Sequence, residues 1–225
     1  MTQLKNQQMW VVIPAYNEAR YLKKVLTQVL RYSRNVIVVD DGSQDQTTAI
    51  AQQFPVYVLT HRLNLGKGAA LSTACQFAFE KLKARAVIMM DGDAQHDPKE
   101  LKLFQAALKK GSQVVFGIRQ EPRHMPWLRL KVNRLGSFLT YLLFQTYILD
   151  IPSGYKAFTK NAYKYLAWKA SDYAVEIEIA ARTARARLPF TYVTIKTIYH
   201  DTTKGMTALD ILSIVRHMIK LKATL

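Results

Sequence analysis

The stretch Ala86-Val87-Ile88-Met89-Met90-Asp91-Gly92-Asp93 decides the fold of this chain. Its five consecutive apolar residues predict a short strand that is buried on both faces. The strand ends directly in two carboxylates separated by a glycine. A buried strand followed by polar residues is typical of parallel sheets, which bind ligands beyond the carboxyl ends of their strands.

Short apolar runs and helical patterns alternate on both sides of this stretch. Further strands are predicted over Trp10–Pro14, Asn35–Asp40, Val56–Thr60 and Val114–Ile118. Helices are predicted between them, over Glu18–Tyr32, Thr47–Gln53, Gly68–Lys83 and Pro98–Lys110. Because parallel strands are joined by crossover helices, we predict an α/β fold with a mostly parallel central sheet and helices on both faces.

Two local signals predict where helices begin. Ser43 and Gln46 have the spacing of a capping box before the helix that opens at Thr47. The segment Asp97–Glu100 combines an N-cap residue, a proline at the first helical position and an acid at the third.

The second half of the chain is less regular. Met125–Leu149 is helix-rich and apolar, and Asp150–Gly154 interrupts it. We predict a helix over Ala174–Arg187, a strand over Phe190–Ile198 and a basic amphipathic C-terminal helix over Leu209–Lys222. No repeat or linker divides the sequence, so the whole chain is predicted to form one domain.

Composition narrows the class of protein. The chain has 225 residues, of which 49% are hydrophobic and 21% are charged, values that exclude disorder over most of its length. The lone Cys75 excludes an intrachain disulfide and favours a reducing compartment. Met1–Gln8 lacks the apolar core of a secretory signal. The longest uncharged run, Leu135–Leu149, has 15 residues, fewer than the roughly 20 that cross a bilayer.

The charge balance points to anionic partners. Lys and Arg number 32 against 16 Asp and Glu, which gives a net charge of +16. Such a field attracts nucleic acid, anionic lipid headgroups or phosphorylated substrates. The few acids are informative because six of them cluster at predicted strand ends, which suggests a metal or nucleotide site: Asp40, Asp41, Asp45, Asp91, Asp93 and Asp97.

The pair Asp91 and Asp93 is the strongest signal for chemistry. Hard oxygen ligands suit Mg²⁺ or Mn²⁺, and such a cation would neutralise a diphosphate leaving group. Gln95 is a possible third ligand. The alternative interpretation of Asp91-Gly92-Asp93 is a plain turn after the strand, because Asp and Gly are common turn residues. In Asp40-Asp41-Gly42-Ser43 we expect one carboxylate to contact a ribose or base and the other to form the turn, and the pattern does not say which.

Basic residues provide two further candidates. Asn64–Gly68 lacks the glycine and hydroxyl positions of a Walker loop, but Lys67 near a helix start can either reach a phosphate or remain solvated. A second group lies beside the apolar stretch and suits either a lipid phosphate or a solvated face. It consists of Arg119, Arg123, Arg129, Lys131 and Arg134.

Five segments in consistent order resemble the family 2 glycosyltransferases, most closely the polyprenyl-phosphate sugar synthases. They are Val12–Glu18, Val38–Ser43, Asn64–Gly68, Asp91–His96 and Asp150–Lys156. The resemblance implies a GT-A fold, a Rossmann-like domain, and inverting transfer from a GDP- or UDP-sugar to a polyprenyl phosphate. It places donor binding in about residues 9–118 and acceptor and membrane contacts in about residues 119–225.

The resemblance also assigns roles to individual residues. The donor site would contain Pro14, Ala15, Tyr16, Glu18, Asp40, Asp41, Lys67 and Asp91. Mg²⁺ or Mn²⁺ would be held by Asp91, Asp93 and Gln95, with Asp93 catalytic. The acceptor phosphate would face Arg119, Arg129, Arg134, Ser153 and Gly154. Two departures from the family pattern, Lys156 in place of Arg and Ile118 in place of Ser, weaken the expected phosphate recognition.

The acceptor remains open at this stage. A lipid phosphate is ionised near neutral pH and can attack without a base, whereas a sugar hydroxyl needs a carboxylate, for which Asp150 is the candidate. A phosphate acceptor therefore predicts that Asp150→Asn spares much of the activity.

The resemblance places the reaction at the cytoplasmic face of a membrane. The protein would be peripheral, docking through Met125–Leu149 and Leu209–Lys222 or relying on a membrane-protein partner. No nucleic-acid partner is expected. Two other classes fit less well. A sugar nucleotidyltransferase would carry a glycine-rich loop where Pro14–Glu18 lies, and a nucleic-acid-binding protein would not explain the Asp clusters.

Overall fold

A seven-stranded sheet forms the centre of the computed structural model, which describes residues 8–120, 127–172, 174–196, 198 and 222, with side chains undescribed over 127–135. Its strands are β1 (Met9–Ala15), β2 (Val36–Asp40), β3 (Tyr57–Thr60), β4 (Ala86–Met89), β5 (Val114–Arg119), β6 (Lys156–Thr159) and β7 (Phe190–Ile195). Their order across the sheet is β3-β2-β1-β4-β6-β5-β7. All neighbouring pairs are parallel except those of β6, which runs antiparallel to β4 and β5.

The helices connect the strands and cover both faces. They are α1 (Ala19–Val29), α2 (Thr47–Ala51), α3 (Lys67–Gln76), α4 (Leu101–Lys109), α5 (Trp127–Phe144), α6 (Lys160–Leu166) and α7 (Val175–Arg185). A π-helical turn, Phe77–Lys81, extends α3, and a 3₁₀ turn, Pro98–Glu100, precedes α4. The C-terminal helix predicted over Leu209–Lys222 lies, apart from Lys222, outside the described residues.

Two apolar cores, one on each face, explain why the central strands are buried throughout. Successive side chains of a strand point to opposite faces. Val12 and Val87 accordingly pack in the core with α3, α6 and α7, whereas Ile13 and Ile88 pack in the core with α1 and α4. The predicted mostly parallel α/β sheet is confirmed.

The sequence analysis missed β6 and α6. The β6 strand has only four residues and begins with a lysine, so it lacks the apolar run that identifies the other central strands. Lys156 is nevertheless fully buried, because its ammonium group donates hydrogen bonds to the carbonyls of Ile151 and Ser153. Those two acceptors satisfy a charge that an apolar pattern would exclude from a sheet.

The capping box predicted at Ser43 and Gln46 is wrong. The Ser43 hydroxyl accepts a hydrogen bond from the Asn17 N–H instead, at 2.9 Å, and so joins the loops after β1 and β2. The side chain of Asp45 accepts from the Thr47 N–H at 2.9 Å at the start of α2. The N-cap predicted at Asp97 is confirmed, since its carboxylate accepts from the Lys99 N–H at 2.9 Å.

Two glycines allow the N-terminus of α3 to contact the chain that precedes α7. Gly66 has a φ of +94°, and a β-carbon there would overlap the carbonyl of Ser171. A β-carbon at Gly68 would overlap the carbonyl of Ala170. The Trp168 indole N–H donates to the Gly68 carbonyl at 2.8 Å, and the Ala69 N–H to the Ser171 carbonyl at 3.2 Å. Backbone contact therefore fixes the start of α3 against the second half of the chain.

The different surroundings of two helical glycines predict different effects of alanine substitution on stability. Gly68→Ala should lower the free energy of unfolding by about 1–3 kcal/mol, because the new methyl group has no space. Gly136→Ala in α5 should leave it unchanged or raise it by up to about 1 kcal/mol, because among the described atoms its β-carbon would meet only Ile151 Cδ1, at 3.7 Å. Urea unfolding of the two variants measures the difference. Equal stabilities would contradict the proposed packing.

Candidate active site

The polar loops after β1, β2 and β4 meet at one edge of the sheet. Ala15 at the end of β1 is paired in register with Asp40 at the end of β2. A β-carbon on Gly92, just after β4, would lie 3.2 Å from the Pro14 carbonyl. Parallel strands bring their carboxyl ends to the same edge, so three motifs that are distant in sequence form one cleft.

The loop after β1 carries four residues predicted to bind the donor. Pro14 and Ala15 end the strand, and Ala15 is buried. Tyr16 is 41% exposed, so its ring is open to a ligand. Glu18 begins α1, and its N–H donates to the Thr47 hydroxyl at 2.8 Å, which joins α1 to α2.

The two neighbouring aspartates have different surroundings. Asp41 is buried and accepts hydrogen bonds from the N–H groups of Leu65 and Gly66, at 3.0 and 2.7 Å. His61 Nδ1 lies 2.7 Å from the same carboxylate. Asp40 accepts from the Ser43 N–H at 2.9 Å and from the Thr48 hydroxyl. Asp41 thus fixes the loop that leads to α3, whereas Asp40 holds the turn at the end of its own strand.

A buried cluster of charges lies at the end of β4. Lys67 Nζ is 2.7 Å from Asp91 Oδ1 and 2.7 Å from Glu176 Oε1. Burial alone would raise the pKa of Asp91, but the charge of Lys67 and its hydrogen bond outweigh burial and bring the pKa to about 2. Burial likewise opposes the charge on Lys67, yet its two ion pairs raise the pKa of that ammonium group. Lys67 and Asp91 are therefore both charged at neutral pH.

Sequence reasoning missed the role of Glu176, which comes from α7 and is 3% exposed. It lies on a predicted helix and belongs to no recognisable motif, so no local signal connects it with Asp91. His96 Nδ1 accepts a hydrogen bond from the Asp91 N–H at 3.2 Å. Burial lowers the pKa of His96 to about 4, so the ring is neutral and supports the loop.

Asp91, Asp93 and Gln95 fit a divalent cation that takes its remaining ligands from a substrate. Burial, and then repulsion by Asp91, raise the pKa of Asp93. A cation between the two carboxylates would relieve that repulsion. The Gln95 N–H donates to Asp93 Oδ1 at 3.0 Å and so keeps the loop compact. In the described part of the chain no three His, Cys, Asp or Glu side chains form a complete metal cage. Mg²⁺ typically binds through one or two carboxylates together with substrate phosphates and water.

The predicted acceptor residues have been placed in part. Arg119 at the end of β5 forms a bidentate ion pair with Asp150, with Nη2–Oδ1 at 2.6 Å and Nε–Oδ2 at 2.9 Å. The Arg119 N–H also donates to Asp150 Oδ2, at 2.8 Å. Asp150 therefore orients Arg119. Arg129 and Arg134 lie on α5, but their side chains are outside the description.

The turn over residues 151–154 lies against the charge cluster. A β-carbon on Gly154 would be 2.5 Å from Asp91 Oδ2 and 2.9 Å from Lys67 Nζ. Lys156 holds the same turn from below through the carbonyls of Ile151 and Ser153. Burial lowers the pKa of Lys156 to about 8. Lys156 therefore does not replace an arginine that faces the acceptor: its charge supports the turn from inside the sheet.

The comparisons with known proteins agree with this geometry. The family model described as "Glycosyl transferase family 2" matches residues 10–166. The chain belongs to the family 2 glycosyltransferases, and its described residues form a glycosyltransferase domain with a GT-A fold.

Two curated relatives are similar over most of their length. One is the UDP-N-acetylglucosamine–dolichyl-phosphate N-acetylglucosaminyltransferase of Methanococcus voltae, 33% identical over 85% of this chain and 86% of the relative. The other is the polyprenol monophosphomannose synthase of Mycolicibacterium smegmatis, 29% identical over 78% of this chain and 72% of the relative.

Among solved structures, the fold is similar to that of glucosyl-3-phosphoglycerate synthase from Mycobacterium tuberculosis. A complex of that enzyme with Mn²⁺, UDP and glucosyl-3-phosphoglycerate has a TM-score of 0.72 and 20% identity. It covers 96% of this chain and 79% of that one. At this identity the likeness shows the fold.

The close packing at Gly154 predicts a sensitive position. Gly154→Ala should reduce transferase activity by at least about tenfold, because a methyl group would displace Asp91 or Lys67. Its unfolding midpoint should fall less than that of Gly68→Ala, because the methyl group meets the ends of two side chains rather than backbone. Turnover and thermal unfolding, measured beside Gly136→Ala, check this. Wild-type turnover in Gly154→Ala would show that the turn does not contact the working site.

Proposed function

We propose that this glycosyltransferase moves a sugar from a nucleotide sugar to a polyprenyl phosphate at a membrane surface, with inversion at the anomeric carbon. One observation carries the choice of acceptor. Asp91, which lies against the turn over residues 151–154, and Asp150, which lies against Arg119, are both already held by basic side chains. Asp91 and Glu176 are paired with Lys67, and Asp150 is paired with Arg119.

The pairing of Asp150, the candidate base, with Arg119 favours an acceptor that is already ionised. A sugar hydroxyl would need a carboxylate to take its proton during attack. Both carboxylate oxygens of Asp150 instead accept hydrogen bonds from Arg119. A phosphate monoester carries negative charge near neutral pH and needs no base. The Arg119 guanidinium, oriented by Asp150, suits a phosphate oxygen.

The donor occupies the cleft between the three strand ends. We assign Asp40 rather than Asp41 to the nucleotide, because Asp41 is committed to the loop before α3. Tyr16 supplies an exposed ring at the same edge. Asp91, Asp93 and Gln95 hold Mg²⁺ or Mn²⁺, which when bound neutralises the departing nucleoside diphosphate. The names of the two curated relatives, which specify dolichyl phosphate and polyprenol acceptors, support this reading.

An apolar stripe on α5 supports contact with lipid. Phe138, Tyr141 and Leu142 follow helical spacing and are at least half exposed. Lys222 Nζ donates to the Leu143 carbonyl at 2.5 Å, which places a cation beside the helix end. Exposed aromatic and aliphatic residues next to cations are typical of helices that lie on anionic membranes. No described helix is both long and apolar enough to span a bilayer.

The transfer assay tests the proposal directly. Labelled UDP- and GDP-sugars are incubated with polyprenyl phosphate in anionic vesicles, with Mn²⁺, Mg²⁺ or EDTA, and label in the organic phase is counted. We expect metal-dependent label that falls by roughly a hundredfold in Asp93→Asn, the equivalent of about 3 kcal/mol of lost transition-state stabilisation.

Asp97→Asn is the matched control, because Asp97 caps the turn before α4 and should retain activity. Metal-dependent binding of a nucleotide sugar without lipid label would exclude the polyprenyl phosphate and leave a sugar hydroxyl as acceptor. Label of equal intensity in EDTA or in Asp93→Asn would contradict the metal site.

Asp150→Asn separates the two acceptor chemistries. Asp150 has a φ of +46°, a conformation that asparagine also tolerates, so the backbone should be preserved. Loss of the charge loosens Arg119, and we expect KM for the lipid to rise by about tenfold while kcat changes by less than that. Steady-state kinetics at several lipid concentrations measure both values. A fall in kcat of about a thousandfold would identify Asp150 as a base and would contradict the phosphate acceptor.

A further inference from the structure

Lys67 lies where a cation is needed. Its ammonium group bridges Asp91, after β4, and Glu176, on α7, at 2.7 Å from each. Both carboxylates are largely removed from solvent, and an uncompensated buried charge is strongly destabilising. Within the described chain, Glu176 Oε2 has no hydrogen-bonding partner, so Glu176 retains capacity for a second contact.

Lys67 and a divalent cation would compete for the same carboxylate. Asp91 is one of the two aspartates assigned to the metal, yet its Oδ1 already lies against Lys67. Its Oδ2 faces Gly154, where a β-carbon would be only 2.5 Å away. Two positive charges on one small carboxylate repel each other, so a metal that binds Asp91 must weaken or displace the contact with Lys67.

The N-terminus of α3 offers a place for an anion beside Lys67. Lys67 is the first residue of this ten-residue helix, and Gly66 precedes it as the N-cap. The N–H groups at a helix N-terminus carry partial positive charge and favour an anion. A diphosphate that enters with the metal would meet both this helix end and the released ammonium group. Glu176 would keep Lys67 close throughout, because it is the second partner of the ammonium group.

We propose that the Lys67 ammonium group pairs with Asp91 in the free protein and moves to the diphosphate when the metal and the nucleoside diphosphate bind together. This inference rests on the proposed metal site at Asp91 and Asp93, but not on the identity of the sugar or the acceptor. It predicts that the protein binds the metal weakly by itself. It also predicts that each ligand strengthens binding of the other, because the diphosphate takes the ammonium group that the metal displaces.

Titration with Mn²⁺ alone tests the competition, with free Mn²⁺ followed by electron paramagnetic resonance. We expect Lys67→Gln to bind Mn²⁺ about tenfold more tightly than the wild type, because Asp91 and Glu176 are then open to the metal. Glu176→Gln should have the opposite effect and weaken Mn²⁺ binding several-fold. Lys67 then pairs with Asp91 alone and competes more strongly with the metal for that carboxylate. Lys67→Arg keeps a cation at Asp91 and should stay within a few-fold of the wild type.

Repeating the titrations with UDP, and in parallel with GDP, separates displacement from a general loss of positive charge. Wild-type protein should bind Mn²⁺ more tightly when the nucleotide is present, and this gain should shrink about tenfold or more in Lys67→Gln. If the variant only lost positive charge, its Mn²⁺ affinity would change equally with and without nucleotide. The increase in Mn²⁺ affinity that the nucleotide causes would then stay the same. Far-ultraviolet circular dichroism and thermal unfolding establish that each variant is folded. If Lys67→Gln is not folded, Glu176→Gln carries the test.

Several results would overturn the inference. They are Mn²⁺ binding in Lys67→Gln no tighter than in the wild type, an unchanged nucleotide gain, or Glu176→Gln binding Mn²⁺ as well as the wild type does. These titrations contain neither a sugar nor a lipid. If they give the expected result and the lipid transfer assay fails, only the proposed acceptor is excluded. Absence of Mn²⁺ binding in every variant, with and without nucleotide, would overturn both the inference and the metal site.

Discussion

The rest of the site depends on one reversal of direction in the sheet. β6 runs antiparallel between β4 and β5, so its N-terminal end lies beside their carboxyl ends. The turn over residues 151–154 immediately precedes β6 and is therefore delivered to the edge where Asp91 lies. A parallel strand in the same place would carry that turn to the opposite edge. Within the described sheet, this antiparallel strand is thus what brings the turn over residues 151–154 to the edge where the loops after β1, β2 and β4 lie.

Buried charge is the second constraint, and the site manages it by pairing. Lys67 forms ion pairs with Asp91 and Glu176, and Arg119 forms one with Asp150. Lys156 donates hydrogen bonds to two carbonyl oxygens. Each basic group also positions a loop or turn that substrates would contact. These three basic side chains are matched by the carboxylates of Asp91, Glu176 and Asp150, so the chain's net charge of +16 comes from residues outside this group. The field that steers anions is therefore set by those other residues.

The sequence was sufficient for the parallel part of the fold because each of those strands carries its own signal. Val36–Asp40 and Ala86–Met89 are apolar runs that end in carboxylates, so both the strand and its polar edge can be recognised locally. β6 could not be recognised, because Lys156 becomes compatible with burial only through carbonyls supplied by the folded turn. Glu176 was missed for a similar reason: its partner Lys67 is more than a hundred residues away. Asp150 was considered as a base because the sequence could not show that Arg119 folds onto it.

The contact between Gly68 and Ala170 has a consequence for how this fold can be recombined. Backbone of the donor half touches backbone of the acceptor half at residues 66–68 and 170–171, with no side chain between them to absorb a mismatch. A chimera that joins the first 118 residues of this chain to the second half of a relative must therefore keep both the glycines and the path of the segment before α7. We therefore expect a chimera to fold well only when both of these contacting segments come from the same protein.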